Sequence, residues 1–379
     1  MKKEIAKSFA LISLGLSIGL TSCSDDDEGS TPNPVTPVIT TPAAYEFTRD
    51  GNSTVNYEGQ TSRLNQLEEL TIELKKADAG NQISSSTLLD MFANQNNPFS
   101  QSYNKDLKSK TFPLDVDYFE TLMKDAANLS GISTAASNGN AGLMTRESGA
   151  TILVDSNGRE FTQLIEKGLM GATFYYQITN TYLTDDKIGK QVENSSMVDS
   201  ANGKYYTTME HHFDEAFGYM GFPTDFTSNY SGSGTVRFWG KYSNTADDDI
   251  QMNDRLMNPF KLGRKAIVEK NYTLLDEQVA KLYTELEVMI AATAIHYVNQ
   301  TLTLSNEGNR HHALSECYAF VRALRYSNAS NRTISQQEVD NMLENKIGAN
   351  FYITKGDDLK YIKNELAKGF GLETVADQL

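Results

Sequence analysis

Cysteine is scarce in this sequence of 379 residues, and that scarcity limits how the chain can be stabilised. Only two cysteines are present, Cys23 and Cys317, and Cys23 falls at a processing site that is described below. Cys317 is then left without a cysteine in the same chain to pair with, so the fold must be held without an internal disulfide. We therefore expect Cys317 to be a small, buried, apolar residue.

Basic residues are also few in relation to acidic ones. The chain has 34 Lys and Arg against 49 Asp and Glu, which gives a formal net charge of −15. Removal of residues 1–22 takes away three lysines and one glutamate, so a net +2 is lost from −15 and −17 remains. Nucleic acid is itself a polyanion and is therefore not expected as a partner.

Several familiar catalytic motifs are missing from Tyr45 onward. This part of the sequence has no His-Glu-x-x-His string, no Gly-x-Ser-x-Gly string and no phosphate-binding glycine loop. Their absence excludes the common zinc peptidase, α/β-hydrolase and nucleotide-binding signatures. Strand-like runs are scarce as well, and 151–154 is the clearest of them. The predicted class is therefore mainly α, with few short strands.

The first 22 residues have the pattern of a signal peptide. A basic start precedes an apolar run at 9–20, and this run of 12 residues is too short to span a bilayer. The run ends at Leu20-Thr21-Ser22-Cys23, which resembles a bacterial lipobox. Cys23 is therefore predicted to be the lipidated first residue of the mature protein. The alternative is an ordinary secretory signal.

Residues 23–44 are predicted to be a tether. They are rich in Pro, Thr, Ser and Asn and have few bulky apolar residues, so they cannot bury enough surface to offset the entropy of an ordered chain. The acidic run at 25–28 resembles the export signal that places some Gram-negative lipoproteins on the cell surface. We expect the protein to be lipid-anchored in the outer membrane and exposed at the cell surface. The alternative is that this segment is a solvated spacer facing the periplasm.

A repeated segment dominates the rest of the chain. Residues 209–220 recur at 310–321, and the preceding stretch 168–181 lies over 288–301. In the first alignment His211 falls on His312 and Glu215 on Glu316. This pattern predicts a duplicated helical bundle with pseudo-twofold repeats, the first at 45–245 with an N-terminal extension and the second at 246–379.

The repeated segments also carry the candidate site. His211 and His212 each share a helix face with Glu215, because residues three or four apart are neighbours on a helix, and His312 and Glu316 repeat the pattern. If the two copies face one another, imidazole and carboxylate groups could together bind zinc or iron. The alternative is a buried His–Glu hydrogen bond without metal, where the two repeats meet.

These residues resemble the imelysin-like family of iron-regulated, two-repeat helical envelope proteins. Glu210-x-His212-x-x-Glu215 matches the family motif Gly-x-His-x-x-Glu except at its first position, and 313–320 and 351–354 are similar to the family's closing repeat. An uncharacterised branch of outer-membrane lipoproteins resembles the chain more closely still. The resemblance implies a non-catalytic lipoprotein that binds a ligand in iron or other metal uptake, beside a TonB-dependent transporter.

Two other functions remain open at this stage. A metallopeptidase-like enzyme would use the His212/Glu215 motif as part of a metal site. Glycan capture would rely on exposed aromatic side chains, although most aromatics here fall at helical spacing, which is typical of a core.

The pattern of apolar residues also predicts individual elements. Helices are expected near 159–183 and 205–220, and Asn258-Pro259 is expected to open a helix that reaches Thr303. Small residues along the first of these, Gly168, Gly171 and Ala172, should let a neighbouring helix approach closely. The Asp-x-Asn-Gly sequence at 155–158 predicts a tight turn.

Overall fold

The computed structural model describes residues 40–379. The predicted signal peptide, the predicted lipidation site at Cys23 and nearly all of the predicted tether lie outside the described residues.

The described chain is built mainly from helices, which confirms the predicted class. The α-helices are α1 (Glu58–Asp78), α2 (Ser85–Ala93), α3 (Val116–Leu129), α4 (Phe161–Leu169), α5 (Asp185–Ile188), α6 (Thr208–Gly218), α7 (Trp239–Thr245), α8 (Asp247–Ile250), α9 (Met252–Val268), α10 (Tyr272–Thr303), α11 (Glu307–Ala323), α12 (Gln336–Asn341) and α13 (Gly356–Phe370).

Strands are confined to two small antiparallel hairpins within residues 40–379. The first pairs β1 (Thr48–Arg49) with β2 (Asn52–Ser53), and the second pairs β3 (Gly142–Thr145) with β4 (Thr151–Val154). The strand predicted at 151–154 is therefore confirmed.

The turn predicted after β4 is confirmed too. Asp155 Oδ1 accepts hydrogen bonds from the backbone N–H groups of Asn157, at 2.8 Å, and of Arg159, at 3.0 Å. Gly158 has a φ of +78°, a conformation that glycine adopts without steric cost. This turn leads the chain directly into α4.

The longest helix, α10, lies at the centre of the fold. It packs against α9, α11 and α13, and the side chains from 286 to 295 are all buried. A helix that is apolar around its whole circumference belongs inside a core. Residues 41–379 form one compact unit, and the predicted boundary at 245/246 falls between α7 and α8 inside it.

One helix prediction is wrong. The helix expected from Asn258 to Thr303 is in fact two helices, α9 and α10, and Pro259 lies inside α9 rather than at its start. The break comes at Lys270, whose φ of +56° ends the helical run. Asn271 then caps α10, because its side chain accepts a hydrogen bond from the N–H of Leu274 at 3.1 Å.

The helix predicted near 159–183 is present, but it is not a uniform α-helix. After α4 the chain continues through two π-helical segments, Met170–Tyr175 and Ile178–Tyr182. A Cβ atom built on Gly171 would lie only 2.9 Å from the Cβ of Ala323 on α11. The predicted close approach of a neighbouring helix is therefore confirmed, and Gly171 is what permits it.

The helix predicted at 205–220 begins slightly later, at Thr208. Thr207 is its N-cap: the Thr207 hydroxyl accepts from the N–H of Glu210, and the Glu210 carboxylate accepts from the N–H of Thr207. This reciprocal capping box fixes the first residue of α6. Helices thus occur at the positions expected for the two repeats, while the duplication itself stays a prediction.

Candidate functional site

The first predicted pair of histidines anchors α6 to neighbouring segments. His211 Nδ1 lies 3.0 Å from the carbonyl oxygen of Asn56, and its ring stacks on Tyr206 with centroids 4.6 Å apart. His212 Nδ1 lies 2.7 Å from the carbonyl oxygen of Lys187. A carbonyl can only accept, so in both rings Nδ1 carries the proton. Burial lowers the pKa of His212, which favours the neutral ring.

Glu215 does not pair with either of these histidines. Its Oε1 accepts a hydrogen bond of 2.9 Å from Gln60 Nε2 on α1, and no hydrogen bond joins it to His211 or His212 in the described part of the chain. The spacing of three and four residues does place these three side chains on one face of α6. Each side chain, however, pairs with a different neighbouring segment and not with the other two.

The second predicted pair lies in a different setting. His312 Nδ1 is 2.7 Å from Glu160 Oε2, and His312 Nε2 is 3.8 Å from Glu316 Oε2. Burial by itself would lower the pKa of His312, but the hydrogen bond and the charge of Glu160 outweigh it, so the pKa is raised. A charge-assisted bond of this kind is about twice as strong as a neutral one.

Glu316 is nearly inaccessible and is surrounded by cations. Lys167 Nζ lies 3.7 Å from Glu316 Oε1 and 2.8 Å from Glu166 Oε2. Burial raises the pKa of Glu316, and the charges of Lys167 and His312 oppose that rise. Burial lowers the pKa of Lys167, but Glu166 and Glu316 together raise it further, so Lys167 keeps its charge.

The five predicted residues are therefore not one metal site. His211, His212 and Glu215 contact one set of elements, and His312 and Glu316 contact another. Among residues 40–379, no group of three or more His, Cys, Asp or Glu side chains is arranged to hold a metal ion. The geometry therefore shows no shared five-residue site for iron or zinc, and each of the two sets has its own hydrogen-bond and ion-pair partners. A His–Glu hydrogen bond does form, but its carboxylate belongs to Glu160.

His312 and Glu160 line a charged cavity, which we call the cleft. The cleft has a volume of about 700 Å³. It lies between the C-terminal end of α1, the β3–β4 hairpin, the start of α4, and α11. Its lining residues are Lys75, Asp78, Ala79, Arg146, Gly149, Ala150, Thr151, Ile152, Glu160, Gln163, Glu166, Lys167, Lys241 and His312.

Local structure holds Glu160 in place at the floor of the cleft. The turn at 155–158 ends just before it, and Glu160 precedes the first residue of α4. Its backbone N–H donates to Ser315 Oγ at 3.0 Å, and Ser315 Oγ donates in turn to the carbonyl of His311. Helix α11 therefore supplies both the group that fixes the backbone of Glu160 and, through His312, the group that fixes its side chain.

Asp78 is the second carboxyl group of the floor. Asp78 Oδ1 accepts from the N–H of Leu153 at 2.9 Å, and Asp78 Oδ2 accepts from Thr162 Oγ1 at 2.7 Å. Burial and the nearby charge of Glu160 raise the pKa of Asp78 to about 7. Near neutral pH the floor can therefore gain or lose a proton at Asp78.

Gln163 carries an acceptor with no partner in the protein. The side chain is 5% exposed, and its Nε2 donates to Glu160 Oε1 at 3.3 Å. Its Oε1 is buried and has no hydrogen-bond partner within residues 40–379. A buried acceptor left unsatisfied costs about 1–3 kcal/mol, so a donor brought into the cleft would meet a ready partner.

The rim of the cleft carries cations without carboxylate partners. Lys75 and Lys241 are exposed, Arg146 is half-buried, and none of the three forms an ion pair within the described residues. Arg146 Nε donates to Asn309 Oδ1 at 3.1 Å, which leaves the other guanidinium nitrogens free to bind. The rim is therefore locally positive on a protein whose net charge is −15.

A second cavity, of about 550 Å³, lies beside the β1–β2 hairpin. Four of its eleven lining residues, Tyr45, Phe47, Val55 and Tyr57, are apolar or aromatic, and the other seven are polar or acidic. The buried hydroxyl of Tyr45 already donates to Asp214 Oδ1 at 2.8 Å. The lining of this cavity includes no Lys, Arg or His, whereas the cleft combines such cations with buried carboxylates, so the cleft is the better candidate site.

Sequence reasoning found His312 and Glu316 but missed Asp78, Glu160, Gln163 and Lys167. The missed residues come from α1 and α4, and the packing of α4 against both α1 and α11 joins segments that are far apart in sequence. The sequence does contain one weak local indication of these residues. Polar or charged side chains in the first turns of an otherwise apolar helix are buried only when they have hydrogen-bond partners.

The fold and the cleft define a mainly α-helical protein with a charged cavity. The chain belongs to the family described as a domain of unknown function, DUF4856, whose profile matches residues 42–373. Comparison with curated proteins and with solved structures gives no match. Within residues 40–379, every helix is too short or too polar to cross a membrane.

Proposed function

We propose that this protein is a non-catalytic, ligand-binding lipoprotein of the outer membrane, anchored through Cys23 and exposed at the cell surface. It serves iron or other metal uptake beside a TonB-dependent transporter, as the resemblance to the imelysin-like family implies. The observation that carries the binding role is the cleft, with its partly buried His312–Glu160 pair at 2.7 Å and its volume of about 700 Å³.

A binding role suits the state of the groups in the cleft. Glu160 is held by His312 and Gln163, and Glu316 is held by Lys167, so the floor is rigid and largely satisfied. Preorganised groups of this kind favour the capture of a ligand, because little ordering remains to be done on binding. The open acceptor and the open cations are what a ligand would engage.

Metal would arrive at this site as part of a complex. The described residues offer no cluster of three His, Cys, Asp or Glu side chains with metal-ligand geometry. A protein that carries metal without such a cluster must recognise the organic molecule that holds the ion. The cleft, with polar groups on several walls, is suited to that task.

The alternative is a metallopeptidase-like enzyme that uses His212 and Glu215. In the structure His212 Nδ1 is bound to the carbonyl of Lys187, and Glu215 is bound to Gln60, so the two groups serve different neighbours. A zinc peptidase needs three protein ligands and an open position. The contacts of His212 and Glu215 favour a structural role for both residues.

The proposal is tested with the full-length protein produced in a Gram-negative host under iron limitation. Wild type should fractionate with outer membranes, and Cys23→Ala should not. Small molecules and metals released on denaturation would be measured by mass spectrometry, with Ala150→Trp as a variant that fills the cleft and Ala201→Trp as an exposed control.

We expect wild type and Ala201→Trp to release the same bound molecule and Ala150→Trp to release much less. Identical extracts from all three proteins would overturn the binding role of the cleft. Retention of Cys23→Ala in the outer membrane would overturn the anchor.

A further inference from the structure

The chemical character of the cleft narrows the class of ligand, and this step rests on the proposed binding function. Three features decide it: the charge of the rim, the hydrogen-bonding capacity of the floor and the size of the space between them. Each feature constrains a different part of the ligand.

The rim selects for negative charge. Lys75, Arg146 and Lys241 line the cleft and have no ion-pair partner within residues 40–379. Each could approach a carboxylate, and the guanidinium of Arg146 still has its terminal nitrogens available for a two-point contact. The rest of the protein repels anions, because its formal charge is −15, so three unpaired cations at one opening form a local attraction for an anionic ligand.

The floor selects for a hydrogen-bond donor. Gln163 lines the cleft, its Oε1 is buried and lacks a partner within residues 40–379, and an amide oxygen can only accept. Carboxylate groups cannot satisfy it, because they have no proton to donate. The ligand must therefore present an O–H or N–H group at the floor while its carboxylates lie at the rim.

Ammonium groups are less suitable donors than hydroxyl groups here. Lys167 and protonated His312 lie at the same floor, and both have raised pKa values because carboxylates surround them. Glu160 and Glu166 already pair with these two cations, and an ammonium group would compete with His312 and Lys167 for those carboxylates. A neutral hydroxyl can donate to Gln163 Oε1 without disturbing either pair.

We infer that the cleft binds a hydroxycarboxylate, with its carboxylates at Lys75, Arg146 and Lys241 and a hydroxyl group donating to Gln163 Oε1. Two sources share this chemistry: a small hydroxy acid, free or as a metal complex, and a uronic acid unit of a glycan. A cavity of about 700 Å³ has room for either.

The test uses the full chain carrying Cys23→Ala, studied by isothermal titration calorimetry. The ligands are citrate, ferric citrate and digalacturonate. Tricarballylate serves as the analogue of citrate without a hydroxyl group, and lactose as the neutral sugar. Citrate or ferric citrate binding indicates a small acid or its metal complex, and digalacturonate binding indicates a glycan source.

Two sets of variants separate the contributions of rim and floor. The triple variant Lys75→Gln, Arg146→Gln, Lys241→Gln should weaken the binding of the hydroxycarboxylate by at least about a hundredfold, since each charge-assisted contact is worth about tenfold or more. The matched control, Lys190→Gln, Lys204→Gln, Lys368→Gln, removes three cations outside the cleft and should change affinity by less than about threefold.

The floor is tested by a comparison of two ligands. Wild type should prefer citrate over tricarballylate by about tenfold, and Gln163→Met should abolish that preference while it keeps the fold, as a thermal melt would check. If lactose binds as tightly as the anions, or if wild type binds none of the acids, the hydroxycarboxylate inference is overturned. A bound molecule in the wild-type extract would still support the proposed function in that case, so the two failures are distinguishable.

Discussion

Replacement of Arg264 by methionine should destabilise the protein strongly around the β1–β2 hairpin, because the charge of this arginine compensates two buried carboxylates. Arg264 lies on α9 and its side chain is 0% exposed. Its Nε is 2.8 Å from Asp214 Oδ1, and its Nη1 is 3.0 Å from Glu210 Oε1. Its Nη2 donates to the carbonyl of Thr54, at 3.2 Å, just after β2.

The size of the effect follows from what remains after the substitution. Glu210 would keep Arg49, which is 2.9 Å away, but Asp214 would lose its only cationic neighbour within ion-pair distance in the described chain. Burial already raises the pKa of Asp214, and the charge of Arg264 is the largest factor that opposes this rise. Removal of one partner of a buried pair costs about 3–5 kcal/mol, so Arg264→Met should lower the free energy of unfolding by that amount.

A matched control is available on the same helix. Arg255 pairs with Glu285 at 2.6 Å, but these side chains are 35% and 20% exposed. Ion pairs open to solvent are worth at most about 1 kcal/mol, so Arg255→Met should have a small effect. Trp239, the only tryptophan and 0% exposed, provides a fluorescence signal for urea unfolding.

Equal losses for Arg264→Met and Arg255→Met would refute the reasoning. A further check is Asp214→Asn in the Arg264→Met background. If the unpaired charge causes the loss, this second change should recover part of the stability, because it removes the buried carboxylate.

Two further predictions concern the cleft and the helix packing. Asp78 has a raised pKa, about 7 against an ordinary 3.8, so the folded state binds its proton more tightly than the unfolded state. The free energy of unfolding should therefore fall as pH rises from about 4 to about 7, and this group contributes up to about 4 kcal/mol to the fall. Urea melts across that range should show a flatter pH profile for Asp78→Asn than for wild type. Parallel profiles would contradict the assignment. The raised pKa of His312 adds to the loss as pH rises through it. Gly171→Ala should destabilise the protein by about 1–3 kcal/mol, because the new methyl group would clash with Ala323. Gly369→Ala, which has open space around it, should stabilise the protein by about 0.5–1 kcal/mol. Thermal or urea melts measure both changes, and the same sign for both would contradict the packing argument.

The helices were predictable because their apolar spacing is a local property. The periodic residues of α10 and the small residues near Gly171 carried enough information to place one long buried helix and one close helix contact. The errors came from competing local signals. Asn258-Pro259 has the pattern of a helix start, yet the helix begins at Met252. The capping box of Thr207 and Glu210, by contrast, is visible in the sequence and marks the true start of α6.

The candidate site was only half predictable, because its partners are far apart in sequence. His312 was found from the repeat, but Glu160 is 152 positions away and belongs to no motif. Helical spacing suggested Glu316 as the partner of His312, and that contact exists at 3.8 Å, while the shorter bond of 2.7 Å goes to Glu160. That the shorter bond of His312 goes to Glu160 and not to Glu316 follows only from the packing of α4 against α11.

The two histidine segments also differ in a way that alignment could not show. His211 and His312 occupy equivalent positions in the repeat, yet His211 contacts a backbone carbonyl and His312 contacts a carboxylate. Positions that align in sequence need not have equivalent partners, because different segments pack against the two helices. The charged cleft is lined by His312 but not by His211, so the alignment alone could not indicate the other residues of the cleft.

Helix α1 runs from the β1–β2 hairpin to the cleft, the two parts of the domain that the proposed function involves. Its first residue, Glu58, lies beside the β1–β2 hairpin, which follows the predicted tether, and its last residue, Asp78, lies at the floor of the cleft. A helix of 21 residues is about 30 Å long, so the cleft and the hairpin are separated by about that distance. The buried Arg264 network holds the hairpin firmly against α6 and α9. A ligand can therefore bind in the cleft without contacting the hairpin, which is the part of the domain nearest in sequence to the predicted tether.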